Sequence, residues 1–407
     1  MNARQPMSGD ATALSPGSEE FVVGPQSRRR VLVIGQLDGF GNSLKPVAIA
    51  RFLRERGHQV RLVDTSGLSR ASTSAGFRGK LPAPDAGKIA LYVNEVLSML
   101  IRRYGGRSRH FLSYYTLVAD QRIRRAVLRR ALPLDDFDLV ICETPNNAWV
   151  LTAATKSHTM YDCPTPWADD VHLQGKVTER QHVRLRRREI RLCESVDHLA
   201  FHWDSYARYA REQYGLSGRN LMTLNFGCTP ADPSLRARFE DPPRIVYLGH
   251  LGLRFIDLPL LARLSALYPI DVYGGPPPDP KLGLRYLGYG TPDSLRNYQM
   301  GLITCSQDLL MKEGFSAKHL TYLAHGLPVL VPAWRRNVDV LRGTVTYTEA
   351  TFRQVVDGLG DRALWQAKSD EAYEQAHHLS WDRTLLPLDS LLQRVPRVDR
   401  PPCPVGG

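Results

Sequence analysis

Short continuous apolar runs alternate with amphipathic stretches along most of this chain. VLVIG (31–35) reads as a buried strand that stops at a glycine-containing loop, QLDGFGNS (36–43). PVAIARFLRERG (46–57) then repeats its apolar positions at helical spacing, with Pro46 suited to a first turn and Gly57 to a C-cap, and QVRLVD (59–64) returns to strand character. FDLVICE (137–143) continues the series, followed by a polar turn, TPNN, leading into a helix-like AWVLTAAT. SHTMYD (157–162), the charged helix within 175–196, DHLAFHW (197–203) and LMTLNFG (221–227) come next. This order predicts a parallel α/β domain over residues 29–228, behind a loose tail at 1–28.

The pattern pauses at TPADPSLRARFEDPP, so residues 229–243 read as a linker, and RIVYLGH (244–250) restarts it. Helix-like FIDLPLLARLSAL, strand IDVYGG, strand-like LRYLGYG, helix-like TPDSLRNYQ and strand GLITCS follow, predicting a second doubly wound domain over 244–375. SWDRTLLPLDSLLQRV (380–395) reads as a helix within a crossover segment at 376–394, and 395–407 reads as a second tail. No G-x-G-x-x-G or G-x-x-x-x-G-K-[ST] opens either half, so dinucleotide oxidoreduction and P-loop hydrolysis lose their motif support.

Composition narrows the picture. The longest apolar run, LPVLVPAW (327–334), is too short to cross a bilayer and is broken by proline. Six cysteines stand far apart without a Cys-x-x-Cys pair, which predicts buried free thiols and a cytoplasmic setting. The net charge of +12 is concentrated: residues 100–130 hold nine arginines against Asp120 alone, a field that favours an anionic partner. Ile123 and Val127 can share one helical face while Arg122, Arg125 and Arg129 lie on another, the pattern of a helix on the inner face of an acidic membrane; a solvated arginine-rich helix fits the same residues. Zinc-finger spacing and an RNA-recognition motif are missing, so nucleic acid is not expected as a partner.

The segment EGFSAKHLTYLAHGLPVLVP (313–332) carries the sharpest chemical signal. A loop entering a helix exposes the backbone donors of Gly314, Phe315 and Ser316 to an anion, Lys318 adds a point charge, and Glu313 can accept sugar hydroxyls. An ordinary capped surface helix fits these residues too. In sequence order this segment resembles the donor-binding core of retaining GT-B glycosyltransferases, especially glycosyltransferase family 4, whose second acidic position falls here on Thr321. LVIGQLDGFGNSLKPVAIARFLRERGHQVRLV (32–63) resembles that family's opening, with Gly39 and Gly41 near an acceptor or phosphate cleft. YLGHLGLRF resembles its donor-domain loop, with Gly249, then His250 where a basic residue is usual, and Arg254. YLGYG with TPDSLRNY resembles its nucleotide-recognition segment, and YDCPTPWADDV (161–171) a variant from polysaccharide-building members.

The resemblance implies two Rossmann-like domains around a cleft and retaining, metal-independent transfer from a nucleotide sugar to a saccharide, lipid-linked or small-molecule acceptor, with no cofactor. It implies that Glu313 stabilises charge at the anomeric carbon. Lys318, Arg254 and the helix N–H groups would meet the diphosphate. Glu143 stands where the family often has a histidine, and can orient an acceptor hydroxyl or cap the next helix. Asp162 and Trp167 are further acceptor-side candidates. The cluster Asp169-Asp170-x-His172 is read as a polar loop without a metal, and His198 and His202 as structural. A GT-B epimerase or phosphorylase and a noncatalytic sugar-nucleotide binding or scaffolding protein are the competing readings.

Overall fold

The computed structural model describes residues 28–37, 44–68, 85–104, 109–216, 220–314, 316–336 and 341–398. Gly39, Gly41, Phe315 and Cys403 therefore lie outside the described residues. Six strands build the first sheet: β1 (Arg30–Gly35), β2 (Gln59–Asp64), β3 (Leu139–Cys142), β4 (His158–Cys163), β5 (His198–Phe201) and β6 (Leu221–Thr223). They run parallel in the order β2-β1-β3-β4-β5-β6, with Val31 opposite Leu139 and Leu139 opposite His158. The central strands are buried on both faces, as all-parallel strands covered by helices must be.

The covering helices are α1 (Leu44–Glu55), α2 (Asp85–Tyr104), α3 (Arg109–Ala131), α4 (Pro145–Ala148), α5 (Trp167–Leu173), α6 (Glu179–Ser195) and α7 (Asp204–Tyr214). α4 is shorter than the helix expected from AWVLTAAT. Asn147 donates its amide to Thr65 Oγ1 (2.8 Å) and Thr144 Oγ1 (2.6 Å), and Thr152 Oγ1 bonds back to the Trp149 carbonyl (2.9 Å), so the chain tightens into a 3₁₀ turn over Trp149–Ala153. Ile123 and Val127 are corrected: Val127 is buried in the first domain's core and Ile123 packs against it. Their apolar face is occupied by protein, so it does not back a lipid-facing helix.

The second sheet uses β7 (Ile245–Leu248), β8 (Ile270–Tyr273), β9 (Arg285–Tyr286), β10 (Met300–Leu302), β11 (Val329–Pro332) and β12 (Thr344–Tyr347), all parallel in the order β12-β11-β10-β7-β8-β9. Around it lie α8 (Leu258–Leu267), α9 (Leu309–Glu313), α10 (Ala317–Ala324), α11 (Phe352–Gly358) and α12 (Arg362–His378). TPDSLRNYQ forms a 3₁₀ turn over Pro292–Asn297 rather than an α-helix. The final run splits into α13 (Trp381–Thr384) and α14 (Pro387–Arg394), because Pro387 has no N–H to continue the first helix. Leu388, Leu391 and Leu392 of α14 pack on Val31, Val33 and Phe52, so the chain ends on its first domain. Where it crosses back, Cys228 N–H donates to the Leu379 carbonyl (2.9 Å) and Trp381 N–H to the Cys228 carbonyl (3.3 Å).

Among the described residues no helix is long and apolar enough to cross a membrane. Cys142, Cys163, Cys193, Cys228 and Cys305 are buried free thiols.

Candidate functional site

In an open parallel sheet the strand order reverses at one point, and the carboxyl ends of the two strands flanking it leave a crevice. In the second sheet that point lies between β7 and β10, whose neighbours β8 and β11 run outward in opposite directions. The residues just after these strands, His250 and Ile303 to Cys305, line a cavity of about 360 Å³. Ser316, Ala317 and Lys318 at the start of α10 form its floor, and Thr165, Asp170 and Tyr206 from the first domain face them.

Two cations dominate the second-domain wall. Lys318 Nζ donates to Tyr247 Oη (2.9 Å) and lies 4.2 Å over that ring, with no carboxylate partner among the described residues. Burial pushes its pKa down to about 8, and the charge of Arg335 pushes the same way. A side chain at Gly249 would come within 2.6 Å of this ammonium, so the glycine holds the channel open. Arg335 is buried, donates one guanidinium nitrogen to the Gly314 carbonyl and leaves its Nε without a hydrogen-bond partner. Thr304 Oγ1, also on this wall, is buried without a partner. Ser316 precedes α10 without capping it through its side chain, although His319 N–H donates to the Ser316 carbonyl (2.8 Å), and the helix's N-terminal end faces the cavity. Among the described residues Asp170 is the one carboxylate in the lining, its pKa raised by burial although Gln174 donates to it at 2.7 Å. Two cations, a helix N-terminus and donors without partners thus converge on one wall of this cavity.

Glu313 and Lys318 do not act on the same space in this conformation. The buried Glu313 carboxylate is held by Arg336 (2.8 Å) and by Arg208 on α7 of the first domain (3.1 Å), while Ser205 donates to its carbonyl. It is the ionic seam between the domains. Gly314 belongs to the same seam: a Cβ there would meet Tyr206 Oη and the Leu310 carbonyl at 2.8 Å. Thr321 sits one turn beyond Lys318 and spends its hydroxyl on the Ala317 carbonyl (3.3 Å). His250 is exposed at the cavity mouth and accepts from Gly252 N–H (3.0 Å). Arg254 is turned away from Lys318, toward a second cavity of about 420 Å³ between the domains, where its guanidinium lies over Gly175.

Glu143 is buried at the end of β3, outside the lining of the 360 Å³ cavity, 4.0 Å from His202 Nε2. It adjoins a polar cluster inside the first domain: Lys45 Nζ donates to Asp162 Oδ1 (2.9 Å) and to the Leu224 carbonyl (2.5 Å), and His202 Nε2 lies 3.4 Å from Asp162. Burial lowers the His202 pKa to about 4, with Lys45 adding to it, so this imidazole is neutral. Trp167 opens α5, whose first two N–H groups donate to Glu189 at 2.8 Å each; burial raises that carboxyl's pKa to about 7. Arg335, Lys45 and Tyr206 were not singled out by the sequence reading. Arg335 follows a buried strand and Lys45 precedes Pro46 with no motif attached, and only the packing marks them.

No known family model matches the chain, and no curated protein sequence matches it. Among solved structures, the UDP-forming α,α-trehalose-phosphate synthase of Burkholderia vietnamiensis superposes with a TM-score of 0.56 at 14% identity, over 90% of this chain and 100% of that one. A glycosyltransferase of Rickettsia africae gives 0.55 at 9% identity, over 90% and 98%. The lipopolysaccharide outer core galactosyltransferase WaaB gives 0.53 at 11%, over 89% and 99%. At such identities the likeness concerns architecture, and with two parallel six-stranded sheets facing one another the architecture of this chain is GT-B.

Proposed function

We propose that this chain transfers a sugar from a nucleotide-sugar donor to an acceptor held between the domains. The observation that carries the reading is the pairing of Lys318 and Arg335 at the uncapped start of α10, at the switch point of the second sheet. In the reaction the bond between the anomeric carbon and the diphosphate oxygen breaks and a bond to the acceptor oxygen forms. The acceptor's proton goes to an oxygen of the leaving phosphate, on the same face, so configuration is retained. Lys318, Arg335 and the α10 N–H groups stabilise the departing charge, which assigns to side chains and backbone the task a metal would otherwise perform.

Asp170 and Thr165 orient the acceptor hydroxyl, and Glu143 acts from beneath as a positioning residue at the strand ends. Glu313 exchanges Arg208 for the donor's sugar hydroxyls when the domains shift, since Arg208 belongs to the opposite domain. The acceptor is a saccharide, a lipid-linked saccharide or a small molecule. A membrane-proximal acceptor is favoured by an apolar stripe on α2, where Ile89, Val93, Leu97 and Leu100 are 44–61% exposed beside the arginine-rich α3. The buried thiols suit the cytoplasm, at the inner membrane face.

The test is a screen of nucleotide sugars against mixed acceptors, with both products weighed by mass spectrometry. Transfer is expected with one donor class; Glu313→Gln lowers transfer more than donor binding, and Lys318→Met lowers both. A folded parent that binds no nucleotide sugar overturns the reading. One that binds donor but neither transfers nor hydrolyses it replaces transfer by noncatalytic binding.

A further inference from the structure

The turn between α5 and α6 carries Gln174, Gly175 and Lys176, one wall of the 420 Å³ cavity and the surface on which Arg254 of the second domain rests. Behind that wall His172, near the end of α5, meets Glu179 and His182 from the first turn of α6. One ligand atom from each of the three lies within 4.8 Å of the others. His172 Nε2 is 3.2 Å from one Glu179 oxygen, and His182 Nδ1 is 3.7 Å from the other, so the carboxylate sits between two imidazoles. The rings lie face to face, with centroids 4.4 Å apart and planes 7° from parallel.

The surroundings hold one of these imidazoles in place. His182 Nε2 lies 2.5 Å from Asp169 Oδ1, and Asp169 is itself held by Arg186 (2.9 Å) and by Tyr209 Oη (2.7 Å). Its other ring nitrogen, Nδ1, faces Glu179, buried and without a hydrogen-bond partner. A carboxylate behind an imidazole whose other nitrogen is bare is the arrangement that orients histidines on metals. The start of α6 is equally fixed, since Thr178 and Gln181 form a reciprocal capping box around Glu179. Beyond His182 Nδ1, His172 Nδ1 is also buried without a hydrogen-bond partner, while His172 Nε2 and Glu179 converge from the other side. A cation satisfies all three.

We propose that His172, Glu179 and His182 bind a divalent cation of the zinc class, which fastens the α5–α6 turn and thereby sets the cleft wall that meets Arg254. Two imidazoles and one carboxylate suit such a borderline ion, and water completes the coordination. Ligands about 2.1 Å from the metal stand about 3.4 Å from one another, so the group must draw in from its present spacing. Glu179, 75% exposed, and His172, 37% exposed, have the freedom to do so while His182 stays anchored. The role is structural: the cation lies behind the cavity wall, and Asp169 is its positioning residue.

The experiment uses the full chain, stripped with a chelator and dialysed, then titrated with zinc chloride by calorimetry and with cobalt chloride by visible absorption. One equivalent is expected, with the intense bands of low-coordinate cobalt and a rise in Tm on zinc addition. Glu179→Gln, at an exposed position that leaves folding intact, should weaken zinc binding at least about tenfold, and Asp169→Asn about 10–100-fold. Circular dichroism confirms that each variant is folded. Absence of saturable binding by the parent, or equal binding by the parent, Glu179→Gln and His172→Gln, overturns the site and leaves a hydrogen-bonded cluster. Every readout is independent of sugar chemistry, so failure here and failure of the transferase reading are separate results.

Discussion

Lys45 and Lys318 each stand second in a helix at the carboxyl edge of a parallel sheet, one in each domain. Lys45 is 0% exposed and finds its counter-charge inside the fold, on Asp162, with the Leu224 carbonyl as a second acceptor. Lys318 is only partly buried, rests on a tyrosine, and points its charge into a cavity shared with Arg335. The same residue in the same local position is thus a structural member in one domain and an incomplete one in the other. A partly buried cation without an internal counter-charge is open to an external anion, which is the basis of the proposed diphosphate site.

The largest expected effect tests the closed member. Lys45→Met leaves Asp162 buried without its counter-charge and should destabilise the chain by about 3–5 kcal/mol, read from the midpoint of urea unfolding. A loss below about 1 kcal/mol would show that Asp162 finds other compensation and would blur the contrast. Lys318→Met should instead leave the unfolding midpoint unchanged or raised, because the fold disfavours this ammonium, while weakening nucleoside diphosphate binding about 10–100-fold, measured by calorimetry. A variant that loses stability as Lys45→Met does, yet keeps its affinity, inverts the comparison.

The smallest effect is a pH dependence. Because burial holds the Lys318 pKa near 8, the ammonium loses its proton as pH rises through that value. Diphosphate affinity of the parent should then fall by up to about tenfold per pH unit above 8, and Lys318→Met should show no such slope. Stability moves the opposite way: the unfolded lysine keeps its proton to about 10.5, so this group's contribution rises with pH between about 8 and 10.5. Affinity independent of pH in the parent would place the bound phosphates away from Lys318.

Much of the fold was legible because buried parallel strands announce themselves locally: VLVIG and QVRLVD lie in β1 and β2, and LPVLVP contains β11. The elements that departed from expectation were decided by single contacts, such as the Asn147 and Thr152 hydrogen bonds that shorten α4. The α10 floor of the site was legible for the same reason as the strands, since Ser316 to Lys318 are contiguous. Its other walls were not. Asp170, Tyr206 and Arg335 meet from segments up to 165 residues apart, and no periodicity encodes that meeting. Glu313 shows the complementary failure: its position in the loop was plain, but the two arginines that occupy its carboxylate come from α7 and from the far side of β11. The arginine field was visible in composition, whereas the burial of Val127 depended on what packs against it.

The crossing at Cys228 and Leu379 to Trp381 has a mechanical consequence. The backbone passes between the domains on the way out and again on the way back, and the two passages are hydrogen-bonded side by side. Such a double thread ties the two domains at this edge, because sliding or separation there would have to stretch both passages and break the hydrogen bonds between them. A second tie joins the domains elsewhere, the Arg208 to Glu313 ion pair between α7 and the end of α9, so the walls of the 360 Å³ cavity are held from two separate places along the chain.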